Sequence, residues 1–122
     1  FVGVDFLHIT RSLPTSVGGP LHAPSFFTLR QNYPNPFNPT TTIQFGLPVT
    51  ANVSVKIYSI LGQEVATLVD DLLSAGTFQA IWDGRNSSGA QVASGMYLYS
   101  LAARSADGKS SFTNIKKMLF LK

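Results

Sequence analysis

Apolar and polar residues alternate with a period of two through most of this chain. Thr41, Ile43 and Phe45 form one such run. Val53, Val55 and Ile57 alternate against Ser54, Lys56 and Tyr58, and Phe78, Ala80 and Trp82 against Thr77, Gln79 and Ile81. That period marks strands with one face in a core. Gly46 with Pro48, Leu61-Gly62 and Gly76 separate the runs as turns. A strand from Met96 to Arg104 and a last one from about Ser111 to Leu121 flank Asp107-Gly108, the strongest hairpin signal present. Phe26, Phe27 and Leu29 predict a short edge strand. Residues 61–73 are ambiguous: Leu61, Val65, Leu68 and Leu72 fit a helical face, whereas Val65, Thr67 and Val69 fit a strand. Propensity alone favours helix over 70–74. About seven short strands at near-regular spacing predict an all-β, antiparallel β-sandwich.

The stretch Trp82 to Tyr99 organises the rest. Asp83-Gly84 ends the Phe78 strand, and Asn86, Ser87, Ser88 and Gly89 supply turn chemistry. Val92 and Ala93 touch down, Ser94-Gly95 turns again, and Met96-Tyr97-Leu98-Tyr99 opens an aromatic-rich strand. A two-residue hairpin needs no such length, so this corner is expected to cross between sheets, with Trp82 as the plug.

Two features precede the regular strands. Phe1 to Thr10 is apolar on both faces: Val2, Val4 and Phe6 on one, Phe1, Leu7 and Ile9 on the other. A strand of that kind is buried on both sides. Arg11 to Pro24 reads as a Pro/Gly/Ser linker, so the expected organisation is 1–24 as strand plus linker and 25–122 as the sandwich. The first strand belongs to an upstream domain, is a swapped-in strand of this one, or completes a neighbouring subunit's sheet through Phe1, Val2, Val4, Phe6, Leu7 and Ile9. The second feature is Asn32 to Thr42, with three prolines and three asparagines. Proline fixes φ and removes donors, so a rigid collar packing Tyr33 and Phe37 onto the sandwich is expected.

Charged residues make up only 12% of the 122 residues, about half the share usual in soluble domains. Ser, Thr, Asn, Gln and Gly must cover the surface, as in many extracellular β-proteins, or a larger assembly must bury it. No run of about 18 apolar residues predicts a membrane span. The chain starts at Phe1 without Met or a signal-peptide core, so a processed end is expected. The net charge is +3, and Arg104, Lys109, Lys116, Lys117 and Lys122 crowd the C-terminal end. Without interleaved aromatics, these read as lysines guarding strand edges; no nucleic-acid partner is expected. The absence of cysteine excludes disulfides and thiolate chemistry.

Nucleophilic catalysis needs a base within reach and a group to orient it. The two histidines, His8 and His22, lie outside the predicted sandwich, and no nucleophile elbow, metalloprotease or phosphate-loop motif occurs. Asp70-Asp71 read as a solvated turn. Asp83 with Asn86 offers weak calcium ligation through one carboxylate, but an Asx-turn is the preferred role; no cofactor is expected. Asn52 and Asn86 head glycosylation tripeptides, a weak pattern.

The pattern from Trp82 to Tyr99, WDGRNSSGAQVASGMYLY, resembles the Ig-like domain of the flagellar hook-capping protein. It also resembles the C-terminal sorting domains of proteins exported by type IX secretion. Tyr33-Pro34-Asn35-Pro36-Phe37-Asn38-Pro39, the segment Val55 to Val65 and the ending Lys116 to Lys122 agree, so the likeness covers about Leu29 to Lys122. It implies an Ig-like sandwich, and a strand from about Glu64 to Leu68 followed by a loop. It further implies that Tyr33, Pro34, Asn35, Pro36, Gly95, Tyr97, Lys116 and Lys117 carry recognition by a protein partner. The expected function is therefore a secreted, non-enzymatic sorting and surface-anchoring module read by secretion machinery. The alternative is a subunit of an extracellular filament, a homopolymer of neighbouring subunits built by exchange of residues 1–10. A carbohydrate-binding module needs an exposed row of aromatics, and Tyr97, Tyr99 and Tyr58 are better read as core.

Overall fold

A computed structural model describes residues 24–122, together with the backbone of 9–11. Its eight strands are β1 (Ile9–Arg11), β2 (Thr28–Leu29), β3 (Thr41–Leu47), β4 (Ala51–Ser59), β5 (Glu64–Leu73), β6 (Gly76–Trp82), β7 (Gly95–Ser105) and β8 (Ser111–Phe120). They form two four-stranded antiparallel sheets, ordered β1-β6-β3-β2 and β5-β4-β7-β8. This is the expected Ig-like sandwich of seven strands, with β1 added at the edge of the first sheet. The calls on Phe1, Val2, Val4, Phe6 and Leu7 lie outside the described residues. The backbone at Ile9 is strand, opposite Ala80 of β6, and the strand continues through Arg11, which the linker reading had claimed.

The inward faces match the alternation. Ile43, Phe45 and Leu47 of β3, Val53, Val55 and Ile57 of β4, and Phe78, Ala80 and Trp82 of β6 are all buried. Each strand contributes every second side chain to the layer between the sheets, the arrangement an aligned sandwich requires. The 83–94 corner carries the chain from β6 in one sheet to β7 in the other, as expected.

Two expectations are corrected. Residues 64–73 form one continuous strand, neither a helix nor a strand ending at Leu68, and Asp70 and Asp71 are exposed strand residues of β5 rather than a turn. The register against β4 slips between Val55 and Lys56 and again between Ile57 and Tyr58. Each bulge puts an extra residue on β5 and reverses its facing. Leu68 and Val69 are therefore both buried although adjacent, and the mixed spacing that imitates a helix is a bulged strand. The second correction concerns Tyr33: Phe37 packs into the core at 2% exposure, but Tyr33 is 81% exposed. The backbone of Tyr33, not its ring, ties the collar down, exchanging two hydrogen bonds with Thr42 of β3 (3.0 and 2.9 Å).

A buried phenol fixes the start of the collar. The Tyr99 hydroxyl donates to the Arg30 carbonyl (2.7 Å) and accepts from the Asn32 amide (2.8 Å). Asn32, 2% exposed, donates through its side-chain nitrogen to Thr41 Oγ1 (2.9 Å) and the Pro34 carbonyl (3.1 Å). Prolines cannot donate, so this asparagine and Thr41 Oγ1, which donates to the same carbonyl (2.9 Å), complete the local bonding. Burial pushes the Tyr99 phenol from 10.0 up to about 12, against the opposing effect of the Asn32 amide bond. The folded chain thus keeps a proton that the unfolded chain releases. The stability this contributes is present in full below pH 10.0 and is lost as the pH rises toward about 12. Tyr99→Phe strands the buried Asn32 amide, removes the donor to the Arg30 carbonyl and is expected to cost roughly 1–3 kcal/mol at neutral pH. It should also flatten the alkaline fall in melting temperature, followed by circular dichroism. An unchanged slope would remove Tyr99 from that role.

Candidate functional site

The collar of residues 30–39 and the C-terminal half of β8 lie far apart in sequence and side by side in the fold. β8 is the outermost strand of its sheet, so one row of its backbone groups points away from β7. The collar occupies that row. Gln31 Nε2 donates to the Lys117 carbonyl (2.8 Å), and the Leu119 amide donates to Asn35 Oδ1 (2.9 Å). The Phe37 amide donates to the Leu119 carbonyl (3.0 Å), and the Leu121 amide to the Phe37 carbonyl (3.1 Å). Phe37 and Phe120 form a parallel bridge there. Because Pro34 and Pro36 cannot extend a strand ladder, side chains of Gln31 and Asn35 replace the missing backbone partners.

Aromatic packing holds the two segments from below. The Phe37 and Phe120 rings stack at 4.9 Å, Trp82 lies against Phe37 (5.5 Å) and Phe120 (6.2 Å), and Tyr97 meets the Trp82 ring edgewise at 5.3 Å. Trp82, 1% exposed, satisfies its indole N–H on the Arg85 carbonyl (2.9 Å). The chain passes so close at Gly84 that a Cβ there would stand 2.9 Å from the Phe120 ring, and its φ of 77° already requires glycine.

The residues singled out from the sequence divide between surface and core. Tyr33, Pro34, Asn35 and Pro36 are exposed along the collar. Lys117 is exposed and Lys116 half-buried; neither has a carboxylate partner among the described residues. Gly95 opens β7 at φ 150°. Tyr97 is buried, and its hydroxyl donates to the Ala93 carbonyl (2.6 Å); burial raises its pKa. Gly95 and Tyr97 thus shape the corner, whereas Tyr33 to Pro36 are exposed along the collar and Lys116 and Lys117, adjacent on β8, point to opposite faces of that strand. Tyr99 is also fully buried, as expected, but Tyr58, read as core, is half-buried on the outer face of the same sheet; these three tyrosines make no exposed row. Sequence reading missed Gln31, Asn32 and Thr41. Their only trace in the sequence is Asn32 standing just ahead of the proline run; its burial is seen only in the fold.

The loop chemistry around Asp83 is local. Asp83 Oδ1 accepts from the Arg85 amide (3.2 Å), its other oxygen faces the Arg85 guanidinium at 3.7 Å, and Asn86 Oδ1 accepts from the Ser88 and Ala90 amides (both 3.0 Å). These are the expected Asx-turns. They border a cleft of about 340 Å³ between β5 and β6, floored by Leu68, Ile81 and Trp82. Among the described residues no three His, Asp or Glu side chains converge as metal ligands. At the other end of the sandwich, Asp107 accepts from the Ser105 hydroxyl (2.6 Å) and the Lys109 amide (2.9 Å) and holds the last hairpin; these bonds lower its pKa.

No curated protein matches the chain. The crystal structure of FlgD from P. aeruginosa is similar at a TM-score of 0.53 and 27% identity, over 66% of this chain and 60% of that one. This chain thus corresponds to about three fifths of that FlgD structure. PorZ, an essential surface component of the type IX secretion system of Porphyromonas gingivalis, aligns at a TM-score of 0.46 and 24% identity, over 75% of this chain and 11% of PorZ. A family model described as the FlgD Ig-like domain matches residues 33–107. That span takes in strands β3 to β7 and the Trp82 corner, and the chain belongs to the FlgD Ig-like domain family, a structural module.

Proposed function

We propose that this domain is a type IX sorting and surface-anchoring module, a passive sandwich that secretion machinery recognises on exported cargo. The observation that supports this reading most is the meeting of the Tyr33-Pro36 collar with the Lys116-Lys117 strand. Hydrogen bonds spanning 86 and 84 positions, from Gln31 to the Lys117 carbonyl and from the Leu119 amide to Asn35, hold the collar against that strand. Two motifs that resemble the sorting family at opposite ends of the domain thus lie side by side, an arrangement that exists only in the folded chain. A receptor reading that arrangement distinguishes folded cargo from unfolded. The uncompensated lysines supply the charge for a protein partner, and a rim charge acts chiefly on association rate and specificity. The module works at the cell surface or outside it.

A second reading is favoured by the pairing of β1 with β6. The N-terminal segment completes the first sheet at an edge that is otherwise open, and a neighbouring copy offers the same edge. Exchange of that strand between copies builds a filament by head-to-tail contacts.

For the first reading, the chain is fused behind a secreted reporter in a bacterium with a type IX system. Export to the surface is expected, with loss of roughly tenfold or more for the double variant Lys116→Glu/Lys117→Glu, a reversal of two rim charges. Both lysines are at least partly solvent-facing, so the circular dichroism spectrum should be unchanged. Full export of a folded charge-reversed variant removes the lysines from recognition, and a reporter retained with the native sequence refutes sorting. For the second reading, electron microscopy and sedimentation of the purified chain should give fibres or oligomers that vanish when residues 1–24 are deleted. Monomers before and after deletion contradict strand exchange.

A further inference from the structure

The outer face of the first sheet carries a polar hollow of about 370 Å³, lined by Arg30, Gln31, Tyr33, Thr42, Gln44 and Gln79. Gln44 of β3 and Gln79 of β6 stand directly opposite each other, and Thr42 is joined to Tyr33 by the backbone bridge. Two properties separate this hollow from an ordinary solvated sheet face. First, apart from Gln31, whose side chain is bonded to Asn32 and Lys117, its polar groups are uncommitted: the amides of Gln44 and Gln79, the Thr42 hydroxyl and the Arg30 guanidinium make no hydrogen bond or ion pair to any described residue. Second, Tyr33 stands beside them with its ring in solvent, on a backbone pinned at both its amide and its carbonyl. A held backbone beneath the ring removes part of the ordering cost of binding, leaving the side-chain torsions to be fixed.

The chemistry of the lining selects the ligand. β3 is hydrogen-bonded on one side to β2 and on the other to β6, so its backbone has no edge to offer a peptide strand. Recognition there falls to side chains. Each primary amide presents two donors and an acceptor, the hydroxyl does both, and the tyrosine ring presents a flat, electron-rich face. That set suits a hydroxyl-dense ring with an apolar C–H face. Neither β3 nor β6 contains an Asp or Glu, and Arg30 is the one charged residue lining the hollow. A guanidinium of this kind binds carboxylate through two parallel N–H bonds.

We propose that the hollow is a binding site for an acidic polysaccharide. A sugar ring lies on Tyr33, its hydroxyls bond Gln44, Gln79 and Thr42, and a uronate carboxylate is held by Arg30. The site lies on the outer face of the first sheet and shares Tyr33 with the collar, but its argument and its test depend on neither reading of sorting or assembly.

The test is calorimetric titration of the full chain with oligogalacturonate. Neutral xylo-oligosaccharide of equal length and polyglutamate serve as comparisons. Oligogalacturonate is expected to bind about tenfold or more tightly than either. Tyr33→Ala and Gln79→Ala should each weaken it by roughly tenfold, and Arg30→Gln should abolish the preference for the acidic sugar. Ile115→Ala, on the outer face of the opposite sheet, should change nothing. All four side chains reach solvent, so the variants should melt with the parent, and melting curves check that they do. Absence of oligogalacturonate binding overturns the proposal. So does binding that survives Tyr33→Ala, or polyglutamate bound as tightly as the sugar, which reduces the site to unspecific charge attraction.

Discussion

Four aromatic rings from four separated segments meet between the sheets, and the rest of the molecule depends on that contact. Phe37 arrives from the collar, Trp82 from the end of β6, Tyr97 from β7 and Phe120 from the end of β8. Pairs of this geometry contribute about 0.5–1.5 kcal/mol each beyond the area they bury. Their more consequential effect is topological. They draw the two ends of the domain to one place, and the glycine at position 84 lets the backbone approach closely enough for them to touch. Without them the collar keeps its hydrogen bonds to β3, β7 and β8 but loses its packing into the core.

The cluster also decides which edges stay open. A sandwich has four edge strands, and unpaired edges invite association. Here the edges are β1, β2, β5 and β8; β5 is bonded at Val65 by the Ser87 amide, and β8 is covered from Lys117 to Leu121 by the collar. The first half of β8 lacks such a cover: Ile115 is exposed, its amide bonded only by the neighbouring Asn114 side chain. The covered part of β8 is therefore made of residues whose positions the core dictates.

Much of this was legible in the sequence because strand alternation is a local property. The Phe78-Ala80-Trp82 face, the Asp107-Gly108 hairpin and the cross-sheet corner all follow from neighbours a few residues apart, and each stands where the pattern places it. The two corrections have non-local causes. β5 misleads because its bulges are set by the partner strand, so Leu68 and Val69 face the same way despite their adjacency. Tyr33 misleads because aromatic character predicts burial, whereas its fate depends on Thr42 holding the backbone and leaving the ring outside. The Asn32–Tyr99–Thr41 network joins residues up to 67 positions apart through polar atoms, which leave no periodic trace. The contact between collar and β8 is of the same kind: each motif is visible alone, and only the fold brings them together.

Native-state hydrogen exchange addresses that contact most directly. If the ring cluster seals the collar onto β8, the Leu119 and Leu121 amides, bonded to Asn35 and Phe37, open only with the whole domain and exchange as slowly as core amides such as Val55. The Ile115 amide on the same strand, covered only by its neighbour's side chain, exchanges far faster. Leu119 and Leu121 exchanging at the rate of Ile115 would mean that the collar lifts freely from the strand, and that the two motifs are not held side by side.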